Sequence, residues 1–304
     1  MNYVLEEIKL NELRKTMELV KRVFDEFEAP YYTEEGIENF YKFANYDNIK
    51  QQLNKGIRIF IVKHNEEIIG MIGIRDYSHI VLLFVDKNYH RKGIATKLLK
   101  KAKSFCRENN KNIDYMTVNS SPYGIDFYHA TGFEDTDIEK EVDGIRFTPM
   151  RLYMYSFRKY EEKDFEYLYQ TKKDCFKWYV EKLYGEWNDN FQIEFFRNYI
   201  NKELDNINVI VYQNREIGIF TNKINEDNKS VIELFYIDKK FQGRGIGKEI
   251  LEEQLEKDKQ NGRDTILQVF KENPARFLYK KVGFEVYDET ESHYKMIRKL
   301  RNDI

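Results

Sequence analysis

His90-Arg91-Lys92-Gly93-Ile94-Ala95-Thr96 and Gln242-Gly243-Arg244-Gly245-Ile246-Gly247-Lys248 are two basic, glycine-containing stretches of the 304-residue chain. Each follows an apolar run that ends in an aspartate and precedes a long stretch with helical periodicity. Glycine lets a ligand approach the backbone, and the free N–H groups at the start of a helix attract anions. Each stretch therefore predicts a pyrophosphate-binding loop, the alternative being that the glycines serve only a tight turn.

The two stretches belong to an internal repeat. Val85-Asp86-Lys87 matches Ile237-Asp238-Lys239 at an offset of 152 residues, and the match continues into the following helix. A repeat of this length is far above the roughly 20–50 residues of solenoid repeats, so each copy is expected to be a complete domain. The sequence predicts two domains, residues 1–152 and 153–304.

Periodicity and turn residues predict the same order of elements in both copies. A strand precedes two helices, a three-stranded meander, a long helix, a strand, a short helix and two closing strands. In copy one the two helices are placed at 11–28 and 34–53, and the meander ends at Val85. This order predicts an α/β fold, each domain a mixed, mostly antiparallel twisted sheet flanked by helices. The short linker predicts packed domains, as a monomer or a homodimer.

Composition excludes several classes of function. The 50 Lys and Arg residues balance 52 Asp and Glu residues, so no nucleic-acid partner is expected. The longest apolar run, 80–85, is far too short to span a membrane, and the expected location is cytoplasmic. Cys106 and Cys175 lack Cys-x-x-Cys spacing, and no two of the five histidines have metal-ligand spacing. No metal is expected.

The type of nucleotide can be narrowed by elimination. A Walker P-loop requires Ser or Thr after Gly-Lys, whereas Glu249 follows Gly247-Lys248. A dinucleotide fingerprint requires G-x-G-x-x-G after the first strand of a parallel sheet, whereas these loops follow a strand of a meander and have the wrong spacing. Neither class of nucleotide site fits.

Both copies resemble the GNAT acyltransferase superfamily, whose Q/R-x-x-G-x-G/A loop binds the pyrophosphate of acyl-CoA. Gln242, Gly245 and Gly247 fit this pattern, as do Gly93 and Ala95, whereas His90 occupies the Gln/Arg position in copy one. The family's downstream N-x-x-A-x-x-x-Y-x-x-x-G-F pattern is matched, with one residue fewer between Asn and Ala, by Asn273, Ala275, Tyr279, Gly283 and Phe284. Copy one keeps Asn119, further upstream, with Tyr128, Gly132 and Phe133.

The resemblance implies acetyl-CoA (coenzyme A) as the cofactor of both copies. In copy two the implied coenzyme-binding residues are Phe235, Ile237, Gln242, Gly243, Arg244, Gly245, Ile246, Gly247, Lys248, Asn273 and Tyr279. In copy one they are Phe84, Val85, His90, Arg91, Lys92, Gly93, Ile94, Ala95, Thr96, Asn119 and Tyr128.

The resemblance also implies catalytic roles. Tyr279 and Tyr128 would protonate the departing thiolate, the alternative being that each packs in the core. Glu233 stands where the family often places a general base, but copy one has Val81 there. His79, two residues earlier on the same strand face, is a substitute base or a packed histidine. The sequence therefore favours the second domain for catalysis, with the alternatives that the first is also active or that it keeps its fold and coenzyme binding in support of the second.

The implied function is N-acetyl transfer to a primary amine: a small amine, an aminoglycoside-like compound, or a peptide or protein amino group. The alternative is an acyl-CoA-binding regulatory or scaffold protein in which one or both sites are catalytically silent. The two helices before each meander are expected to select the acceptor, because aromatic and acidic residues mix there and would suit a cationic amine. The alternative is that these residues form only a core stripe and a solvated face. In copy one they are Phe24, Glu26, Phe27, Glu28, Tyr31 and Tyr32, and in copy two Trp178, Tyr179, Glu181, Tyr184, Glu186, Trp187 and Asp189.

Overall fold

The computed structural model describes residues 3–300, which divide into two compact units between Met154 and Tyr155. The helices of the N-terminal unit are α1 (Leu13–Phe27), α2 (Glu34–Phe43), α3 (Tyr46–Asn54), α4 (Ile94–Asn109) and α5 (Ile125–Ala130). Its strands are β1 (Val4–Glu7), β2 (Arg58–His64), β3 (Glu67–Arg75), β4 (His79–Val85), β5 (Tyr115–Ser120), β6 (Glu134–Asp135), β7 (Lys140–Val142) and β8 (Ile145–Tyr153). The sheet order is β1-β2-β3-β4-β5-β8-β6, and β7 pairs with β8.

The C-terminal unit repeats this topology. Its helices are α6 (Phe165–Tyr184), α7 (Asp189–Glu203), α8 (Ile246–Gln260) and α9 (Ala275–Lys281). Its strands are β9 (Tyr155–Lys159), β10 (Ile207–Tyr212), β11 (Arg215–Ile224), β12 (Ser230–Ile237), β13 (Thr265–Phe270), β14 (Glu285–Glu289) and β15 (His293–Arg298). The sheet order is β14-β15-β13-β12-β11-β10-β9.

Both sheets are mixed and mostly antiparallel, which confirms the predicted fold class. The parallel pairs among the described strands are β4 with β5 and β12 with β13. In the N-terminal unit this pairing covers only His79 with Thr117 and Ile80 with Val118. The carboxyl ends of β4 and β5 are therefore not joined by hydrogen bonds, and a cleft opens between them.

A bulge interrupts the strand before each loop at the same place. The β3–β4 register passes over Val81, and the β11–β12 register passes over Glu233. A bulged residue is left unpaired and its side chain is re-aimed, so bulges often occur beside functional sites. Val81 and Glu233 are thus structural equivalents, as the repeat offset predicts.

Each sheet is buried on both faces by helices. On one face of the N-terminal sheet, α1 buries Leu13, Met17, Val20 and Phe24, which recur at the three-to-four-residue spacing of a single helix face. On the other face, α4 packs against a second cluster that includes Tyr128. Fully burying one such aliphatic or aromatic side chain contributes ~1.5–3 kcal/mol. The two clusters hold the loop between β4 and α4 at the edge of a packed core.

Two elements of the N-terminal unit differ from the sequence prediction. The helix expected over 34–53 is broken, because Asn45 accepts a hydrogen bond from the Asn48 N–H and begins a new helix, α3. The C-terminal part of the N-terminal unit has three strands instead of two. Asp143 and Gly144 both have positive φ, so they form the tight turn of an additional hairpin between β7 and β8.

The additional hairpin packs against the start of α2. The Gly144 carbonyl accepts a hydrogen bond from the Thr33 N–H at 3.2 Å, and the Asp143 carbonyl accepts one from the Asn39 side chain at 3.1 Å. A Cβ atom at Gly36 would lie 2.0 Å from the Gly144 oxygen. Gly36 is therefore required for this close contact between backbones.

We predict that Gly36→Ala lowers the midpoint of thermal unfolding. Alanine has a higher helix propensity than glycine, so the substitution should stabilise an isolated helix by up to ~1 kcal/mol. Overpacking against the Gly144 carbonyl reverses the sign and costs roughly 1–3 kcal/mol. Differential scanning calorimetry would measure the shift, with Glu35→Ala at the exposed neighbouring position as the control. A Gly36→Ala variant at least as stable as the wild type would contradict the contact.

Candidate functional site

The loop after β4 and the loop after β12 have the same local geometry. Gly93 has φ = 77° and Gly245 has φ = 82°, and each immediately precedes a helix whose N-terminus has no side-chain cap. Left-handed backbone of this kind strongly favours glycine. The uncapped N–H groups and the helix dipole make each helix start a site for an anion.

The side chain at the first position of each loop makes the same hydrogen bond. Gln242 donates from Nε2 to the Ile237 carbonyl at 2.7 Å, and His90 donates from Nε2 to the Val85 carbonyl at 2.8 Å. These carbonyls belong to the last residue of β12 and β4. The histidine that departs from the sequence pattern thus holds its loop to the strand end as the glutamine does.

A cavity of about 880 Å³ lies in the N-terminal unit, at the opening between β4 and β5. Its lining contains every residue of copy one that the sequence predicts to bind the coenzyme, except Lys92. It also contains Val81, Ser121 and three residues of the segment between α1 and α2: Glu28, Tyr31 and Tyr32. His79 is not among the described residues that line it; its Nδ1 hydrogen-bonds the Thr117 hydroxyl at 2.8 Å. The structure therefore brings one set of predicted residues together around one space.

The two predicted tyrosines are buried. Tyr128 is 6% exposed and lines the cavity, and Tyr279 is 7% exposed in a core cluster shared with Ile237 and Ile246. Burial raises the pKa of Tyr279 to about 12. Burial first, and the charge of Glu28 second, raise the pKa of Tyr128. Both phenols therefore carry their proton at neutral pH.

Glu28 lines the cavity at the end of α1. Burial raises the pKa of its carboxyl to about 7, and a hydrogen bond from the Ser121 hydroxyl partly offsets that rise. The sequence places Glu28 only among residues expected to select the acceptor. Its proximity to Ser121 and Tyr128 depends on distant segments of the chain, so no local pattern could have shown it.

In the C-terminal unit the first helix extends past the equivalent point. The repeat offset of 152 aligns the start of α1, Leu13, with that of α6, Phe165, and therefore aligns Glu28 with Val180. Whereas α1 ends at Phe27, α6 continues to Tyr184.

The last turns of α6 contact the end of β13 and the residues near it. Tyr179 stacks on Phe270 with ring centroids 5.4 Å apart. Lys182 pairs with Glu272 at 2.5 Å, and the Tyr184 hydroxyl hydrogen-bonds that of Ser292 at 3.1 Å.

The strand register shows which residue of the N-terminal unit corresponds to Phe270, the ring contacted by α6. Val118 pairs with Ile80 as Leu267 pairs with Ile232, so Ser121 and Phe270, each three residues further on, are equivalent. The position that faces Glu28 with a small hydroxyl in one unit holds a stacked phenyl ring in the other. A cavity of about 570 Å³ in the C-terminal unit lies instead between α6 and the turn after β12, and Tyr279 and Glu233 are not among the described residues that line it.

Glu233 is held in an ion pair. Its carboxylate lies 2.6 Å from the Lys223 ammonium, which also lies 3.0 Å from the buried Glu203 carboxylate. The charge of Glu233, after burial, contributes to raising the pKa of Tyr199. A carboxylate paired in this way is less available to accept a proton from a substrate.

The remaining predicted residues of copy two lie around the loop. Phe235 packs against the cluster that contains Tyr279, and Asn273 accepts a hydrogen bond from the Ala275 N–H at the start of α9. Arg244 lies over the Phe241 ring, and Lys248 pairs with Glu252 at 3.4 Å.

Residues 3–300 contain no group of three or more His, Cys, Asp or Glu side chains that could hold a metal ion. Within the same range, no helix combines the length and the apolar character needed to cross a bilayer.

The family model described as "Acetyltransferase (GNAT) domain" matches the chain twice, over residues 28–154 and 175–298. Solved structures similar to the chain include the PaiA N-acetyltransferase of Thermoplasma acidophilum in complex with coenzyme A. That similarity has 20% identity and a TM-score of 0.42, and covers 51% of this chain and 100% of the other. A GCN5-related N-acetyltransferase from Rhodopseudomonas palustris has 16% identity and a TM-score of 0.45, with 51% and 97% covered. No curated protein matches the chain.

We predict that His90→Gln leaves acetyl-CoA binding to the N-terminal loop within about threefold of wild type, since glutamine makes the same hydrogen bond in the other unit. His90→Ala should weaken binding about fivefold, because one net hydrogen bond contributes ~1 kcal/mol. Isothermal titration calorimetry in a Gly245→Arg background would isolate the site. Unchanged binding by His90→Ala would show that this hydrogen bond does not organise the loop.

Proposed function

The chain belongs to the GNAT acetyltransferase family, and on that premise we propose that it transfers the acetyl group of acetyl-CoA directly to a primary amine. Acetyl-CoA is the acyl donor of this family and supplies an activated thioester. The acceptors compatible with this reaction are a small amine, an aminoglycoside-like compound, and a peptide or protein amino group.

One observation carries the proposal: a single cavity in the N-terminal unit joins the pyrophosphate loop, the buried Tyr128 and the α1–α2 segment. Transfer requires the thioester, a proton donor for the leaving sulfur and a place for the amine within one space. The backbone of Gly93, Ile94 and Ala95 would bind the pyrophosphate, and Phe84 and Val85 at the strand end would contact the pantetheine arm. Tyr128 would donate the proton to sulfur.

For the C-terminal unit, the sequence prediction of catalysis by Glu233 and Tyr279 stays a prediction. The loop from Gln242 to Lys248 supports coenzyme binding there, since it repeats the geometry of the first loop. The Lys223 pair and the contacts of α6 with Phe270 favour the alternative function for this unit, namely coenzyme binding without turnover.

The test is to titrate acetyl-CoA into wild-type protein and into Gly93→Arg and Gly245→Arg by calorimetry. Both glycines have positive φ, and a Cβ atom at either position would have open space around it. Arginine would therefore strain the loop backbone and extend its side chain across the phosphate path. Two binding events in the wild type, one lost in each variant, are expected.

Gly56→Arg and Gly262→Arg are matched controls. They also have positive φ with nothing within 4 Å of a Cβ, but they lie outside the two loops. Binding in the controls should equal that of the wild type. Absence of any acetyl-CoA binding by the wild type would refute the proposed function.

A further inference from the structure

We propose that the N-terminal cavity accepts a small primary amine with an apolar body, and that the Glu28 carboxylate binds its ammonium group and removes the proton. The inference rests on the proposed acetyl transfer and specifies both the acceptor class and the base. It places the base on the α1–α2 segment of the N-terminal unit, away from the β4 position occupied by Val81.

The position of Glu28 supports this role. It caps α1 and lines the cavity together with Ser121, whose hydroxyl beyond β5 lowers the pKa of the carboxyl. Its charge also acts on Tyr32, before α2, and on Tyr128, in α5. The carboxyl therefore shares one cavity with the helix segment expected to select the acceptor and with the tyrosine proposed to protonate the leaving sulfur.

Glu28 is the carboxylate that lines the cavity near the α1–α2 segment, where the acceptor is expected to bind. His90 and Arg91 belong to the pyrophosphate loop, and Asp126 belongs to the first turn of α5. No lysine lies among the described residues that line the cavity, so Glu28 is not neutralised as Glu233 is by Lys223. The other titratable groups of the lining are phenols: Tyr31, Tyr32, Tyr89, Tyr123 and Tyr128.

The walls near Glu28 are aromatic. Tyr31, Tyr32, Phe40 and Phe43 line this part of the cavity, and Phe40 also contacts Phe84 with centroids 6.0 Å apart. Aromatic faces attract cations and bury apolar groups, and in this part of the described lining Glu28 is the carboxylate that can pair with an ammonium group. This lining favours a monoamine with an apolar body over an aminoglycoside or a polyamine.

The acid–base properties of the site agree with the geometry. Because burial raises the pKa of Glu28 to about 7, the carboxyl is a stronger base than an exposed glutamate and is largely ionised above pH 7. Burial, followed by the charge of Glu28, raises the pKa of Tyr32 and of Tyr128, so both phenols remain neutral. Turnover should increase as the pH rises through 7.

The proton and bond balance of the step is complete. Glu28 takes one proton from the ammonium group, and the neutral nitrogen forms a bond to the acetyl carbon as the carbon–sulfur bond breaks. Tyr128 gives its proton to sulfur and recovers one from the nitrogen. The proton on Glu28 then passes to solvent through the open cavity, which gives the amide, coenzyme A and one released proton.

The test compares wild type, Glu28→Gln, Glu28→Asp and the control Glu18→Gln, an exposed position of α1, with benzylamine and spermidine as probes and acetyl-CoA as donor. The wild type should acetylate benzylamine in preference to spermidine, with kcat/KM rising through about pH 7. Glu28→Gln should lose at least 100-fold and lose this pH dependence, since general-base catalysis contributes about 10²–10⁴-fold. Glu28→Asp should retain part of the activity, and Glu18→Gln should be as active as the wild type.

A second measurement does not depend on turnover. In ¹³C-glutamate-labelled protein, one carboxyl resonance should titrate near pH 7 and be absent from Glu28→Gln, while acetyl-CoA affinity stays unchanged. If the wild type does not bind acetyl-CoA, the proposed function itself is refuted. Normal coenzyme binding with no benzylamine acetylation, or with a fully active Glu28→Gln, would overturn this inference alone.

Discussion

Parallel pairing between β4 and β5 ends after two residue pairs, and this limit shapes the whole N-terminal unit. Beyond Ile80 and Val118 the backbones of the two strands no longer hydrogen-bond each other, so their ends can border a ligand. The loop after β4 brings the N-terminus of α4 to one side of this opening. The α1–α2 segment, whose Thr33 N–H donates a hydrogen bond to the Gly144 carbonyl in the β7–β8 turn, borders the other side.

The two units share this framework but differ in what occupies the space beside it. In the N-terminal unit α1 stops at Phe27, and Glu28 and Ser121 line a cavity. In the C-terminal unit α6 continues, and Tyr179 stacks on Phe270 where Ser121 would be. Each unit thus has one carboxylate candidate at a different place. The one on the bulge, Glu233, is paired with a lysine, whereas Glu28 lies among neutral phenols.

The fold and the two loops could be predicted because their signals are local. Glycines at positive φ, an acidic residue at a strand end and helical periodicity lie next to one another in the sequence, and the repeat shows them twice. The base could not be predicted in the same way. The basicity of Glu28 depends on burial beside Ser121, and the ion pair of Glu233 depends on Lys223 from a neighbouring strand. Both effects depend on tertiary contacts. Because of them, the proposed catalytic base lies in the first unit, whereas the sequence favoured the second.

The central claim is that the N-terminal cavity holds the reactive end of the coenzyme. A crystal structure of the chain with bound coenzyme A tests this claim most directly. We expect the pyrophosphate on the backbone of the loop at Gly93, with the sulfur inside the cavity beside Tyr128 and facing Glu28. Coenzyme A bound only at the loop of the C-terminal unit, with the N-terminal cavity empty, would contradict this expectation.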